Sequence, residues 1–168
     1  RKYSVSDLLE EYPQLVILKS FTKLYAMPGL RLGYVLSSNT PLLERMRKAG
    51  QPWSVSEPAQ AAGIAALEAE KEGFREKTVE YVTQERDWLK EGLLKLGFSV
   101  MDGRANYLCF RAPGDENLRE RLLGEGLLLR SCANYRGLGK DYYRTAVRTR
   151  KENERLLEAF GKVCGKNE

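Results

Sequence analysis

The chain has 168 residues, of which 42% are hydrophobic and 30% are charged, and its formal net charge is +5. This length and composition fit a folded domain with a real core rather than a disordered chain, and no apolar run approaches the ~20 residues that span a bilayer. We therefore expect a cytoplasmic protein without a membrane partner, and the interspersed charges argue against a nucleic-acid partner.

The first segment, residues 1–50, is predicted to run strand, loop, strand and helix. Four apolar residues at 15–18 favour a strand buried on both faces of a parallel sheet, and the alternation over 30–36 favours a second strand. Thr40 before a proline predicts the start of a helix, and Gly50 predicts its end. Two strands are too few for a doubly covered sheet, so we expect this chain to be the C-terminal part of a longer protein.

Two further segments follow. Residues 51–97 favour connecting helices with a break near Gly73. Residues 98–168 favour a small two-layer α+β domain, in which Thr149 and Glu152 predict a capping box at the start of the last helix. The strands of this domain are predicted over 98–101, 106–111, 127–132 and 142–148, and its first helix over 118–123.

The chemistry open to this chain is limited by the absence of histidine. Neither a Ser-His-Asp or Cys-His site nor a histidine-ligated metal can be built from it alone. The three cysteines, Cys109, Cys132 and Cys164, are odd in number and widely spaced, which favours reduced thiols over a disulfide framework or a zinc site. Any catalysis must therefore use lysine, arginine, tyrosine or a cofactor.

The stretch SFTKLYAMPGLRLGYV, residues 20–35, follows the first predicted strand, where ligands of open α/β sheets bind. The Ser20 hydroxyl and the Arg31 guanidinium group suit a phosphate clamp. Lys23 is the candidate nucleophile, since a lysine amine forms Schiff bases when nearby positive charge and partial burial lower its pKa. The alternative is that Lys23 is an ordinary solvated lysine and Arg31 a surface residue of a strand.

The motifs SFTK and GLRLGY in this stretch resemble the lysine signature of the fold-type I pyridoxal-phosphate enzymes, the class I and II aminotransferase group. The resemblance covers essentially the whole chain, but only the C-terminal half of such an enzyme. It implies an α/β fold: the end of a large cofactor-binding domain with a mostly parallel sheet, connecting helices, and a small α+β domain. It also implies that Lys23 carries pyridoxal 5′-phosphate, that Ser20, Thr22 and Arg31 hold the cofactor phosphate, and that the full-length protein is a homodimer.

Two other stretches, residues 51–62 and 127–149, resemble threonine-phosphate decarboxylases more than histidinol-phosphate aminotransferases within this group. The second stretch contains Arg144 and Arg148, which period-two alternation places on one strand face. The resemblance implies that Arg130 and Arg144 bind the carboxylate and phosphate of a small phosphorylated amino-acid substrate. The alternative is that Arg130 and Arg148 only pair with acidic residues of neighbouring helices.

The resemblance thus implies decarboxylation of L-threonine O-3-phosphate to (R)-1-amino-2-propanol phosphate in cobalamin biosynthesis. Transamination of histidinol phosphate is the alternative within the family. A non-catalytic binding or assembly domain is the alternative of another class, and the intact lysine signature argues against it. The other half of such an enzyme supplies the groups that contact the cofactor ring, so we expect this chain to be inactive alone.

Overall fold

A computed structural model of the protein describes residues 4–165. The chain forms two compact units, of which the first ends at Glu76 and the second begins at Lys77. This boundary lies within a long helix. The division at residues 50 and 97 that we expect from the sequence stays a prediction.

The first unit contains a two-stranded antiparallel sheet. Strand β1, Ile17–Ser20, pairs with β2, Gly33–Leu36. The expectation that residues 15–18 form a strand buried on both faces is wrong for this structure, since Leu18 is 74% exposed. Two strands form too small a sheet to bury both of their faces, and no parallel neighbour is present among the described residues.

Helices follow the strand pair: α1 is Thr40–Ala49, α2 is Glu57–Lys71, and α3 is Phe74–Lys95. The N-cap of α1 is Asn39 rather than the predicted Thr40, because the Asn39 side chain accepts the Leu42 N–H. The predicted break between α2 and α3 is confirmed at Gly73, whose φ of 76° is readily adopted by glycine.

The second unit has a four-stranded antiparallel sheet with two further helices. Its strands are β3, Ser99–Val100; β4, Tyr107–Arg111; β5, Arg130–Ser131; and β6, Tyr142–Ala146, in the order β3-β4-β6-β5. The helices are α4, Leu118–Gly124, and α5, Arg150–Val163. The predicted strands and helices are thus found, although β3 and β5 are shorter and β6 ends before Arg148.

One face of this sheet packs against the helices. Phe110 of β4 and Tyr143 of β6 are almost fully buried with Leu89 and Leu93 of α3, and Phe110 meets the Phe160 ring of α5 edge-on at 5.7 Å between centroids. The alternate residues of β4 and β6 lie on the opposite face of the sheet. The predicted two-layer architecture is therefore confirmed, and the second face remains open within this unit.

The capping box at the start of α5 is confirmed. The Thr149 N–H donates to Glu152 Oε2 at 3.2 Å, and the Thr149 hydroxyl donates to the same oxygen at 2.7 Å. Among residues 4–165, no helix has the length and apolar character needed to cross a membrane, and no cluster of potential metal ligands occurs.

Candidate functional site

Ser20 and Arg31 lie at the same end of the β1–β2 pair. Ser20 is the last residue of β1 and faces Gly33, the first residue of β2. The next hydrogen bond runs from the Phe21 N–H to the Leu32 carbonyl oxygen at 3.1 Å. Since Arg31 precedes Leu32 directly, the two candidate phosphate ligands project from neighbouring backbone segments.

The hydroxyl groups of Ser20 and Thr22 form a small local motif. The Ser20 hydroxyl donates to Thr22 Oγ1 at 3.0 Å, and Ser20 Oγ accepts the Thr22 N–H at 3.2 Å. This arrangement leaves the Thr22 hydroxyl proton free to point at an anion, and Ser20 itself is exposed. Thr22 can therefore present a hydroxyl donor at the end of β1, with its oxygen held by Ser20.

Arg31 does not belong to a strand, contrary to the expectation from alternation. It follows the 3-10 turn Pro28–Leu30 in the left-handed backbone region, with φ 55° and ψ 43°. Its Nη1 donates to the Pro28 carbonyl oxygen at 3.0 Å, and the guanidinium group forms no salt bridge with any residue that the structure describes. A non-glycine residue at positive φ is strained, and such strain is concentrated at functional sites.

Lys23 is exposed on the turn that follows β1, so the partial burial that we expect from the sequence is not found. The turn is fixed by two backbone hydrogen bonds, from the Tyr25 N–H to the Phe21 carbonyl at 3.3 Å and from the Ala26 N–H to the Lys23 carbonyl at 3.2 Å. No salt bridge engages the Lys23 amine within residues 4–165. The amine is therefore accessible and carries no carboxylate partner.

Gly33 allows β1 and β2 to approach closely next to this site. A Cβ atom on Gly33 would lie 2.7 Å from the Lys19 carbonyl oxygen, closer than real Cβ contacts. The obstacle is backbone, which cannot rotate away as a side chain can. Gly33, the second glycine of the GLRLGY motif, is thus explained by packing of the strand pair that positions Ser20.

Arg130 and Arg144 lie opposite each other in the second unit. Arg130 of β5 is the register partner of Arg144 of β6. The Arg144 guanidinium carbon lies 4.6 Å from the centroid of the Tyr107 ring, and Cys109 faces Arg144 from β4. Neither arginine forms a salt bridge with a described residue. Two unpaired guanidinium groups on adjacent strands suit a doubly charged anion.

Arg148 does not share this arrangement, because β6 ends at Ala146. Its Nη2 instead lies 2.6 Å from Glu152 Oε1 in an i,i+4 ion pair at the start of α5. Pairing with a helical carboxylate, the alternative from the sequence, is therefore correct for Arg148, whereas Arg130 has no such pair within residues 4–165.

Sequence reasoning missed a second group of residues near Lys23. The Tyr25 hydroxyl donates to Glu70 Oε1, and Arg75 binds the same carboxylate through Nη2 at 2.7 Å and Nε at 3.1 Å. Tyr25 and Glu70 are 45 residues apart, so no local spacing pattern predicts their contact. The only signal available was the position of Tyr25, two residues after Lys23.

Known proteins are similar to this chain in sequence and fold. The family model described as aminotransferase class I and II matches residues 2–160. The threonine-phosphate decarboxylase of Salmonella typhimurium is 41% identical over 157 residues, covering 92% of this chain and 43% of that protein. A histidinol-phosphate aminotransferase of Nitratidesulfovibrio vulgaris is 35% identical over 162 residues, covering 96% of this chain and 42% of that protein. The chain thus spans less than half the length of these relatives.

Solved structures agree with the sequence matches. The histidinol-phosphate aminotransferase of Clostridium acetobutylicum superimposes with a TM-score of 0.88 at 29% identity, covering 99% of this chain and 50% of that one. The enzyme of the same name from Sinorhizobium meliloti has the same fold, with a TM-score of 0.82 at 21% identity, and was solved with pyridoxal 5′-phosphate; the match covers 95% of this chain and 44% of that one. Pyridoxal phosphate is the cofactor of the family. The α/β fold, the lysine motif and these matches together show that the chain belongs to the class I and II aminotransferase family.

Proposed function

We propose that the full-length protein that carries this chain is a pyridoxal-phosphate-dependent decarboxylase of L-threonine O-3-phosphate. The observation that carries the proposal is the 41% identity to the Salmonella typhimurium threonine-phosphate decarboxylase, which extends over both units of this chain. Because the chain spans only 43% of that relative, the proposal concerns the full-length protein. We expect the isolated chain to be inactive.

The first unit is proposed to hold the cofactor. Ser20 would hold the Thr22 hydroxyl, and Thr22 and Arg31 would donate to the cofactor phosphate, since the Thr22 proton is free and the Arg31 guanidinium group has no salt bridge to a described residue. Lys23 projects from the turn between them and has a free amine for a covalent link. When bound, the cofactor would supply an electron sink for the carbanion left after loss of carbon dioxide.

Lys23 has a second proposed role in proton transfer. As an ammonium group, its Nζ would donate a proton to the substrate Cα after carbon dioxide has left, and would become a neutral amine. The absence of histidine from this chain makes lysine the natural group for proton transfer within it. In a transaminase the same Nζ would instead remove the Cα proton.

The second unit is proposed to bind the anionic groups of the substrate. Arg144 would bind the carboxylate through two parallel hydrogen bonds, while the Tyr107 ring supports the guanidinium plane. Arg130 would bind the phosphate. Both assignments are supported by the register of β5 and β6 and by the lack of acidic partners for either arginine among the described residues.

Histidinol-phosphate transamination is the second candidate function, favoured by the 35% identity to the Nitratidesulfovibrio vulgaris enzyme. The test offers purified full-length protein each substrate separately. Decarboxylation predicts release of carbon dioxide from L-threonine O-3-phosphate without any keto acid, and little glutamate from histidinol phosphate with 2-oxoglutarate. The reverse result would move the protein to the aminotransferase function. Release of neither product by cofactor-loaded protein would favour a non-catalytic role.

The remaining expectations concern the setting of the enzyme. A place in cobalamin biosynthesis, a homodimer and a cytoplasmic location stay predictions for the full-length protein. Sedimentation of that protein at several concentrations would test the dimer directly. A monomer at all concentrations would contradict it.

A further inference from the structure

The cluster formed by Tyr25, Glu70 and Arg75 lies entirely within the first unit. The Tyr25 hydroxyl donates to Glu70 Oε1. Arg75 binds the same carboxylate through both Nε and Nη2, with a third contact from Nε to Oε2 at 3.3 Å. The Glu70 side chain is only 20% exposed. The carboxylate is thus held by a charged fork on one side and by a phenol on the other.

The Tyr25 ring also has aromatic neighbours. Tyr25 stacks on Phe74 with ring centroids 5.7 Å apart and planes 19° apart. On the other side it contacts Phe21, with centroids 5.0 Å apart, and Phe21 is itself buried. Lys23 lies midway between Phe21 and Tyr25 in the chain. Its backbone is therefore anchored by an aromatic side chain two residues away on each side.

The backbone at this turn is one that needs such anchoring. Ala26, which follows Tyr25, has a φ of 51°, a conformation that alanine rarely adopts. A strained conformation persists only where surrounding contacts over-determine it. The Ala26 N–H donates to the Lys23 carbonyl oxygen, and the contacts of the preceding Tyr25 tie this turn to the junction of α2 and α3.

The electrostatics of the cluster keep it intact around neutral pH. Burial and the bond to Glu70 raise the pKa of Tyr25 above its ordinary 10.0, so the phenol stays a donor. The hydrogen bonds from Arg75 and then from Tyr25 lower the pKa of Glu70 below 4.5, so the carboxylate stays an acceptor.

We propose that Tyr25, held by Glu70 and Arg75, is a positioning residue that fixes the direction in which the Lys23 side chain projects from its turn. This inference rests on the proposed role of Lys23 as the cofactor-linked lysine. The phenol does not touch the reacting atoms; it acts through the backbone of the turn that it shares with Lys23.

The test uses full-length protein loaded with pyridoxal 5′-phosphate and two substitutions that keep shape. Tyr25→Phe retains the ring stacking and removes the hydroxyl, and Glu70→Gln removes the carboxylate charge. Tyr34→Phe is the matched control, because the Tyr34 ring packs edge-on against Phe21 at 5.8 Å and its hydroxyl makes no hydrogen bond to a described residue.

Tyr25→Phe loses a hydrogen bond to a charged group, and Glu70→Gln loses the charge that strengthens it, so both predict a fall in kcat of about tenfold with KM within about twofold of the wild type. The visible circular dichroism of the bound cofactor, which reports its orientation relative to the protein, should change in both variants and not in Tyr34→Phe. If the two residues contributed only to stability, the substitutions would lower the midpoint of thermal unfolding without changing the dichroism.

Reduction of the wild type with borohydride separates this inference from the proposed function. A label on Lys23 together with unaltered kcat and dichroism in Tyr25→Phe would overturn the positioning role alone. A label on another lysine would overturn both. If Tyr25→Phe does not fold, Glu70→Gln decides by the same readouts.

Discussion

Arg130 on β5 and Arg144 on β6 are direct register partners in an antiparallel ladder, and neither has an acidic partner among the described residues. Like charges placed directly opposite each other on neighbouring strands destabilise a sheet. The sheet therefore carries a repulsion that a bound anion would relieve. The proposed substrate site of the second unit depends on this pair of like charges.

Removing one of the two charges should stabilise the sheet at low salt. We expect Arg130→Gln to raise the stability of the chain by roughly 0.2–1 kcal/mol at about 10 mM salt, and the gain to shrink at about 1 M because salt screens exposed charges. Thermal unfolding at the two salt concentrations measures this. Arg111→Gln is the matched control: Arg111 pairs with Asp141 at 2.6 Å, so its loss should not stabilise. An Arg130→Gln variant less stable than the wild type at low salt would contradict the repulsion.

Exchange of Arg144 for lysine should affect the substrate rather than the cofactor. The charge stays, but the planar fork that binds a carboxylate with two hydrogen bonds is lost. Hydrogen bonds to a charged group contribute roughly 1.5–3 kcal/mol, so kcat/KM of the full-length enzyme should fall by about one to two orders of magnitude. Cofactor absorbance should be retained. Unchanged kinetics, or loss of the cofactor, would refute the assignment.

An alanine at Gly33 should disturb the cofactor site through the strand pair. Its Cβ would meet the Lys19 carbonyl oxygen at 2.7 Å, so β1 and β2 must separate next to Ser20. Such overpacking costs roughly 1–3 kcal/mol. We expect Gly33→Ala in the full-length protein to weaken cofactor binding in a fluorescence titration. Gly29→Ala is the control, because a Cβ at Gly29 meets no atom within 4 Å. Equal affinities for the two variants would contradict the close-packing argument.

The capping box gives a pH prediction for the second unit. Hydrogen bonds from Arg148 and then from Thr149 lower the pKa of Glu152 from 4.5 to about 2. A carboxyl group whose pKa is lower in the folded state stabilises the protein above its unfolded value, and this contribution is lost as the pH falls through the folded value. The free energy of unfolding of the wild type should therefore exceed that of Glu152→Gln, with the largest difference above pH 4.5 and a smaller one toward pH 2. Denaturant unfolding over this range measures it, and a difference independent of pH would contradict the assignment.

The sequence predicted the second unit well because its signals are local. Alternation and helical spacing identify β4, β6 and α5, and the Thr149 and Glu152 pair identifies the start of α5. The placement of Arg148 on the strand face of Arg144 was wrong, because period-two alternation was extended past the end of β6; its pairing with a helical carboxylate, the alternative from the sequence, is found with Glu152. The pairing of Arg130 with Arg144 depends on strand order and register, which local patterns do not encode.

The first unit was harder to predict. The apolar residues at 15–18 indicate a buried strand, yet Leu18 is exposed because burial depends on the layers around a strand rather than on the strand itself. Arg31 was placed in a strand because alternation does not reveal a residue at positive φ. The resemblance of the lysine motif, by contrast, implies roles for Lys23 and its neighbours that stay predictions, whereas the Tyr25 and Glu70 contact required the folded chain.

The most direct test of the account concerns Lys23 itself. Full-length protein loaded with pyridoxal 5′-phosphate is reduced with borohydride, digested and mapped by mass spectrometry. We expect the cofactor to be fixed to Lys23, and Lys23→Ala to abolish both the label and the turnover of L-threonine O-3-phosphate. A label on any other lysine, or full turnover by Lys23→Ala, would contradict it.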